Sequence, residues 1–229
     1  MWSRYGGRTS PTRPPLERCI VIDPAKFAIF ITVSWALIIA PGPDMLYVIT
    51  RGMTHGKKAG MLSAIGVICG ILVHTTAAAL GLTLIFQTSA FAFLIVKYLG
   101  AFYLIYLGIK SWREKNFFNL QTQPSPVSSH RLFWQGVLSN VLNPKIAIFF
   151  LAFLPQFVDK GSGQVTLQLI VLGLTFATLG LIFLLTVGYS SGTIGTWMTR
   201  HPQYAELLER ISGGILIGLG VRLALTERQ

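Results

Sequence analysis

Apolar residues fall into six runs separated by short polar, glycine- or proline-containing connections: about Phe27 to Ile49, Gly60 to Phe86, Ala90 to Ile109, Gly136 to Val158, Leu167 to Tyr189 and Ile211 to Leu225. A hydrocarbon layer of roughly 30 Å needs about 20 helical residues to cross it, and most of these runs reach that length. None shows the ten-residue alternation of a barrel strand. Backbone N–H and C=O groups find no water in lipid, so the runs are predicted to be helices of a membrane bundle. The first run is too long for a signal-peptide core and has no small-x-small exit, so it counts as a span. Before it, residues 1–26 carry Arg4, Arg8, Arg13, Arg18 and Lys26 among Pro and Gly, which reads as a disordered basic tail. The polar, Pro/Ser-rich stretch from Asn116 to Ser129 reads as a surface connection.

That connection, drawn as a loop over 116–132, separates halves at 27–115 and 133–229 that resemble each other. Leu104-Ile105-Tyr106-Leu107-Gly108-Ile109-Lys110 in the third run aligns with Leu216-Ile217-Gly218-Leu219-Gly220-Val221-Arg222 in the sixth. Gly42-Pro43-Asp44 in the first run likewise aligns with Asn143-Pro144-Lys145 in the fourth, each placing a proline beside a charge. Three spans per half is an odd number, so the second half enters the membrane from the opposite side. The predicted fold is therefore an all-α integral membrane protein of six transmembrane helices, two inverted three-helix repeats with spans one and four broken by proline.

Composition agrees with a bilayer as solvent: the 229 residues are 52% hydrophobic and 12% charged. The net charge of +11 in a soluble protein would suggest nucleic acid, but no aromatic-basic surface module is visible, and none is expected as a partner. The basic residues instead concentrate in the tail and connections, where they set orientation and meet anionic head groups. Arg51, Lys57, Lys58, Lys110, Arg113, Lys115, Arg131, Arg200 and Arg210 lie in the connections after runs one, three and five. Lys160, Arg222 and Arg228 lie on the other side, together with the tail, whose charges nearly cancel the bias. Cys19 and Cys69 are placed too far apart in the predicted topology to form a disulfide.

The candidate chemistry sits at the two breaks. Pro41, Gly42 and Pro43 remove backbone donors in mid-span, so the freed groups and the Asp44 carboxylate must face a protein-lined or watery cavity. Asp44 could bind an amino group, take a proton, or simply cap the helix that follows. Asn140, Asn143, Pro144 and Lys145 form the matching break, where Lys145 could pair with Asp44, bind a substrate carboxylate, or snorkel to an interface. His74, inside the second run, is a candidate proton relay or a hydrogen-bonded structural histidine. Gly60, Gly66 and Gly70 have the small-residue spacing of close helix packing. The four histidines show no metal-ligand spacing, and there is no phosphate loop or nucleophile elbow, so no catalytic residue, metal or cofactor is assigned. Any uphill transport would then draw on an ion gradient.

Ala40-Pro41-Gly42-Pro43-Asp44, Lys97-Tyr98-Leu99-Gly100-Ala101 through Gly108, Asn143-Pro144-Lys145 and Phe153-Leu154-Pro155-Gln156-Phe157 together resemble the LysE/RhtB family of lysine exporters and homoserine/threonine resistance translocators. The resemblance runs from about Phe27 to Leu225. It implies efflux of amino acids or related metabolites across the bacterial inner membrane, coupled to the proton-motive force, while the inverted repeat implies alternating access about a midplane site. Its implied partners are an amino acid, protons and the lipid bilayer, with a homodimer as a candidate assembly. It does not carry over a particular substrate, and the basic tail departs from the family's short start.

Overall fold

The computed structural model describes residues 22–88, 90–113 and 127–225, all helical or connecting, with no strand among them. The tail expected over 1–26 falls mostly on residues outside this set, as does much of the connection expected over 116–132. Among the described residues nine α-helices follow in order: α1 (Pro24–Ile39), α2 (Pro43–His55), α3 (Lys57–Thr88), α4 (Ala90–Arg113), α5 (Ser129–Val141), α6 (Pro144–Ile148), α7 (Val165–Tyr189), α8 (Ser191–Arg200) and α9 (Pro202–Leu225).

The helix boundaries follow from local chemistry. Asp23 starts α1 by accepting hydrogen bonds from the amides of Ala25 and Lys26 at 2.9 Å each, with Pro24 in the first turn. The first span therefore begins three residues earlier than its apolar run. Pro41 and Pro43 cannot donate, so α1 ends at Ile39 and α2 restarts at Pro43 with a 49° bend between them. Asn143 and Pro144 repeat this between α5 and the segment that ends at Phe157, with a bend of 47°. Beyond α6 the chain widens into a π-helical turn at Phe149–Phe153 and tightens into a 3₁₀ turn at Leu154–Phe157. Pro155, lacking an N–H, removes the bond to Leu151 that would have kept the turn α-helical.

α3, α4 and α7 are each long and apolar enough to cross a membrane, and the two bent pairs meet the same standard when each is taken as one span. The protein is thus a multi-pass helical membrane protein. α9, expected as the sixth span, begins well before Ile211 and carries Glu206, Glu209 and Arg210 in its first half, which keeps it out of that set. The expected connection between spans five and six is itself helical: Ser191–Arg200 forms α8, with Trp197 stacked on His201.

The strongest helix pairings join the halves of the chain: α3 packs along α7 and α5, and α4 along α9. Small residues make these crossings close. A Cβ on Gly60 would lie 2.7 Å from the Gly188 carbonyl oxygen, and one on Gly188 would lie 2.8 Å from the Gly60 carbonyl carbon. At the α4–α9 crossing, Gly108 meets Gly213 and Ile217, while Gly220 meets Ala101 and Ile105. A Phe cluster (Phe30, Phe149, Phe150, Phe153, Phe157 and Phe176) fills the centre, with Phe149 and Phe176 centroids 4.9 Å apart.

Gly66 tests this packing, because a Cβ there would collide with the backbone carbonyl of Phe133, which cannot rotate away. Gly66→Ala is expected to destabilise the detergent-solubilised protein by about 1–3 kcal/mol. Gly218→Ala, facing open space, should leave the thermal unfolding midpoint nearly unchanged or raise it slightly.

Candidate functional site

Each break frees backbone carbonyls, and one carbonyl at each break is met by a side chain from the other half of the chain. α1 closes with Ala40 N–H donating to Ala36, and α2 opens with Leu46 N–H donating to Gly42, so Ala40 O is left without a helical partner. The Lys145 ammonium donates to it at 2.7 Å. A cation on the exposed carbonyl end of a helix is favoured by its dipole as well as by the hydrogen bond. In the other break, Pro144 has no N–H to offer Asn140 O four residues back, and His74 Nε2 lies 3.1 Å from that oxygen, which also accepts from Asn143 N–H.

Asp44 stands in the first turn of α2, where the helix dipole favours a negative charge. Its Oδ2 accepts from Asn140 Nδ2 and Asn143 Nδ2, both at 2.8 Å. Asn143 is used twice, because its Oδ1 accepts from Lys145 N–H at 3.0 Å and so caps α6. Asp44 therefore does not serve as the α2 cap; that position is Gly42, which supplies no side chain. Lys145 corrects a second expectation. It is 7% exposed, which rules out snorkelling, and its ammonium bonds the Ala40 carbonyl in place of the Asp44 carboxylate.

The α2 face carrying Asp44 also carries Tyr47 and Arg51, at the three- and four-residue spacings that align side chains on a helix. Tyr47 donates to Leu132 O at 2.7 Å and Arg51 to Gln135 Oε1 at 3.1 Å, so the whole face is bonded to α5. One site atom is conspicuous: Asp44 Oδ1 is buried and accepts no hydrogen bond, as is Asn140 Oδ1. Buried acceptors normally have partners, and a carboxylate oxygen without one is open to a proton or a cationic donor.

Two cavities flank the joint, and Gly42, Asn143 and Lys145 line both. The smaller, about 40 Å³, is bounded by Asp44 and an apolar wall that includes Leu37, Val67, Phe176 and Leu184. It has room for a few water molecules. The larger, about 210 Å³, lies between the joint and the α4–α9 pair and is lined by Pro41, Pro43, Pro144, Tyr103, Lys110 and Glu209 among others. Of the residues singled out at the two breaks, all but Asn140 border one cavity or both: Pro41, Gly42, Pro43, Asp44, Asn143, Pro144 and Lys145. Asn140 and His74 stand behind them as hydrogen-bond partners. Tyr103 and Glu209 were not singled out, and Lys110 was read only as a boundary charge that sets orientation. Glu209 lay outside the apolar run that marked the sixth span, where a carboxylate near Arg210 reads as an ordinary solvated charge.

These features define a polytopic membrane protein with two interlocked broken helices at its centre, the arrangement of a small-solute translocator. The chain belongs to the LysE type translocator family, whose model matches residues 35–227. It is 33% identical over 206 residues to the uncharacterized membrane protein YrhP of Bacillus subtilis, covering 86% of this chain and 97% of that one. It is 30% identical over 198 residues to the homoserine/homoserine lactone efflux protein of Salmonella typhimurium, covering 86% and 95%. It is 27% identical over 200 residues to the leucine efflux protein of an Enterobacter species, covering 87% and 95%. No solved structure matches the chain.

If Asn143 couples the breaks, Asn143→Ala removes both a helix cap and a donor to Asp44, at a cost of about 2–4 kcal/mol. In a double-mutant cycle with Asp44→Asn, unfolding of the purified protein should show a coupling of about 0.5–3 kcal/mol. Additive effects would mean that the two side chains do not act on each other.

Proposed function

We propose that this protein exports amino acids across the bacterial cytoplasmic membrane as a secondary transporter driven by the proton-motive force. The observation that carries the reading is Asp44 Oδ1, a buried carboxylate oxygen without a partner, held at the joint of two broken helices beside a small cavity. A group so placed can exchange a proton for a substrate ammonium, which couples the two without further machinery. The efflux relatives named for leucine and for homoserine support the substrate class.

In this reading α9 is the sixth span and the halves are inverted repeats. Three features support it. The two breaks bend by 49° and 47°. The helices taken as equivalent, α3 with α7 and α4 with α9, pack on one another as a two-fold axis requires. At the second crossing the contacts of Gly108 with Gly213 and Ile217 mirror those of Gly220 with Ala101 and Ile105, and the pairs 101/213, 105/217 and 108/220 share the offset of the sequence repeat. Alternating access is the rocking of one repeat against the other.

Efflux of preloaded labelled leucine and homoserine from cells lacking their native exporters tests the proposal. The wild type should exceed vector controls and lose that excess with a protonophore, and Asp44→Asn should be slower by about ten- to hundredfold, the worth of a charged hydrogen bond. Export of no amino acid above background would remove the substrate class, and unchanged efflux in Asp44→Asn would remove the coupling group. His74→Gln keeps a donor for the Asn140 carbonyl but cannot titrate. Retained, gradient-sensitive efflux in that variant assigns His74 a structural hydrogen bond, whereas uncoupled efflux assigns it the relay.

A further inference from the structure

Two buried oxygens at the joint accept no hydrogen bond, and they belong to side chains already bonded to each other: Asp44 Oδ1 and Asn140 Oδ1. The two asparagines that hold Asp44 differ in this respect. Both donate from Nδ2 to Asp44 Oδ2 at 2.8 Å. Asn143 Oδ1 in addition accepts from Lys145 N–H at 3.0 Å, so both ends of that amide are engaged. Asn140 is 0% exposed and its amide oxygen is bare. Buried acceptors are seldom left so, and here two of them sit on bonded neighbours.

The groups packed around Asp44 do not supply the missing donor. Lys145 lines the same small cavity but bonds Ala40 O, and His74 on α3 turns Nε2 to the Asn140 backbone carbonyl. α7 presents Phe176, Gly180 and Leu184, and α1 presents Leu37 and Ile38. α8 meets α2 further along, at Gly52 and Met53. Asn140 borders neither cavity, so a water held in the small one reaches Asp44 but not the amide oxygen. That oxygen lies instead against the α3 backbone, where a Cβ on Gly70 would come within 2.8 Å of it. Both oxygens are acceptors, and what they lack between them is one hydrogen.

We propose that Asn140 is the positioning residue for the coupling proton: protonation of Asp44 on Oδ1 gives an O–H that donates to Asn140 Oδ1, while Asn140 Nδ2 goes on donating to Asp44 Oδ2. This rests on the proton-driven reading above and deepens it. An acid and an amide bonded in this way close a planar ring of two hydrogen bonds, and a single proton satisfies both bare oxygens. The proton arrives as hydronium in the small cavity and leaves water behind, so one O–H bond forms on Asp44 and none breaks in the protein. The two asparagines thereby take different roles. Asn143 holds Asp44 and caps α6 whether or not the proton is bound, whereas Asn140 gains a bond only when it is.

Infrared difference spectra between acidic and alkaline pH, taken on the full-length protein in liposomes, test this. Wild type should gain on acidification a protonated-carboxyl C=O band that is lost in Asp44→Asn. With it should come a shift of one side-chain amide C=O band, which moves when the protein is made with isotope-labelled asparagine. Asn140→Leu, of similar shape, should lose the amide shift and move the carboxyl band to higher wavenumber, because the acid O–H has lost its acceptor. Asn140→Gln keeps an amide, so it should retain a shift that no longer responds to labelled asparagine, and it carries the test should the leucine variant fail to assemble. A carboxyl band unmoved in Asn140→Leu, an amide shift that still follows the asparagine label in Asn140→Gln, or a water band responsive to heavy-oxygen water in place of the amide shift would overturn the role of Asn140 alone. Absence of any Asp44-dependent carboxyl band wherever the protein stays folded would overturn the proton reading and this inference with it.

Discussion

A carbonyl oxygen that loses its helical donor inside a bilayer must find another, and in this protein the replacements come from across the molecule. Pro41 and Pro43 leave Ala40 O without its partner, and Lys145 from the other half supplies one. Pro144 does the same to Asn140 O, and His74 answers. Asp44, carried just beyond the first break, is gripped by the two asparagines that border the second. Neither break is tolerable in lipid on its own, so the two halves can only fold against each other. The 49° and 47° bends, the shared Gly42–Asn143–Lys145 partition and the cavities on either side all follow from that mutual repair.

The same bonds that hold the joint also set what opening it costs. Charge-assisted hydrogen bonds contribute about 1.5–3 kcal/mol each, and opening would break those of Lys145 and Asp44 together. A ligand bearing one carboxylate and one ammonium can replace them end for end, which is how binding would drive a change of state without any net loss of satisfied groups. The glycine-lined crossings of α3 with α7 and α4 with α9 fit such a motion. Smooth, side-chain-poor surfaces let packed helices shift by small amounts without uncoupling the layers.

Much of this was legible in the sequence, and the parts that were not have physical causes. Prolines flanked by charges inside apolar runs can only mean broken spans with a polar interior, so Asp44, Asn143 and Lys145 stood out. The partner of Lys145 did not, because a backbone carbonyl carries no sequence signal and an acid elsewhere in the chain is the natural first choice. Glu209 was hidden by the opposite effect: near Arg210 and outside an apolar run, a carboxylate looks solvated until packing turns it inward. α8 escaped because Ser191–Arg200 is rich in Gly, Ser and Thr, and its helicity comes from packing on α2 and α9 more than from local preference.

The central claim is that the paired breaks form a closed partition between two cavities, held by Lys145 on the Ala40 carbonyl. Thiol labelling in a background lacking native cysteines addresses it directly, with Leu216→Cys reporting on the larger cavity and Met45→Cys on the smaller one. A small membrane-impermeant reagent added from the side bearing Lys110 should label Leu216→Cys quickly and Met45→Cys slowly, and adding Lys145→Met should make the second rate approach the first. Equal rates at both positions with Lys145 intact would contradict the partition.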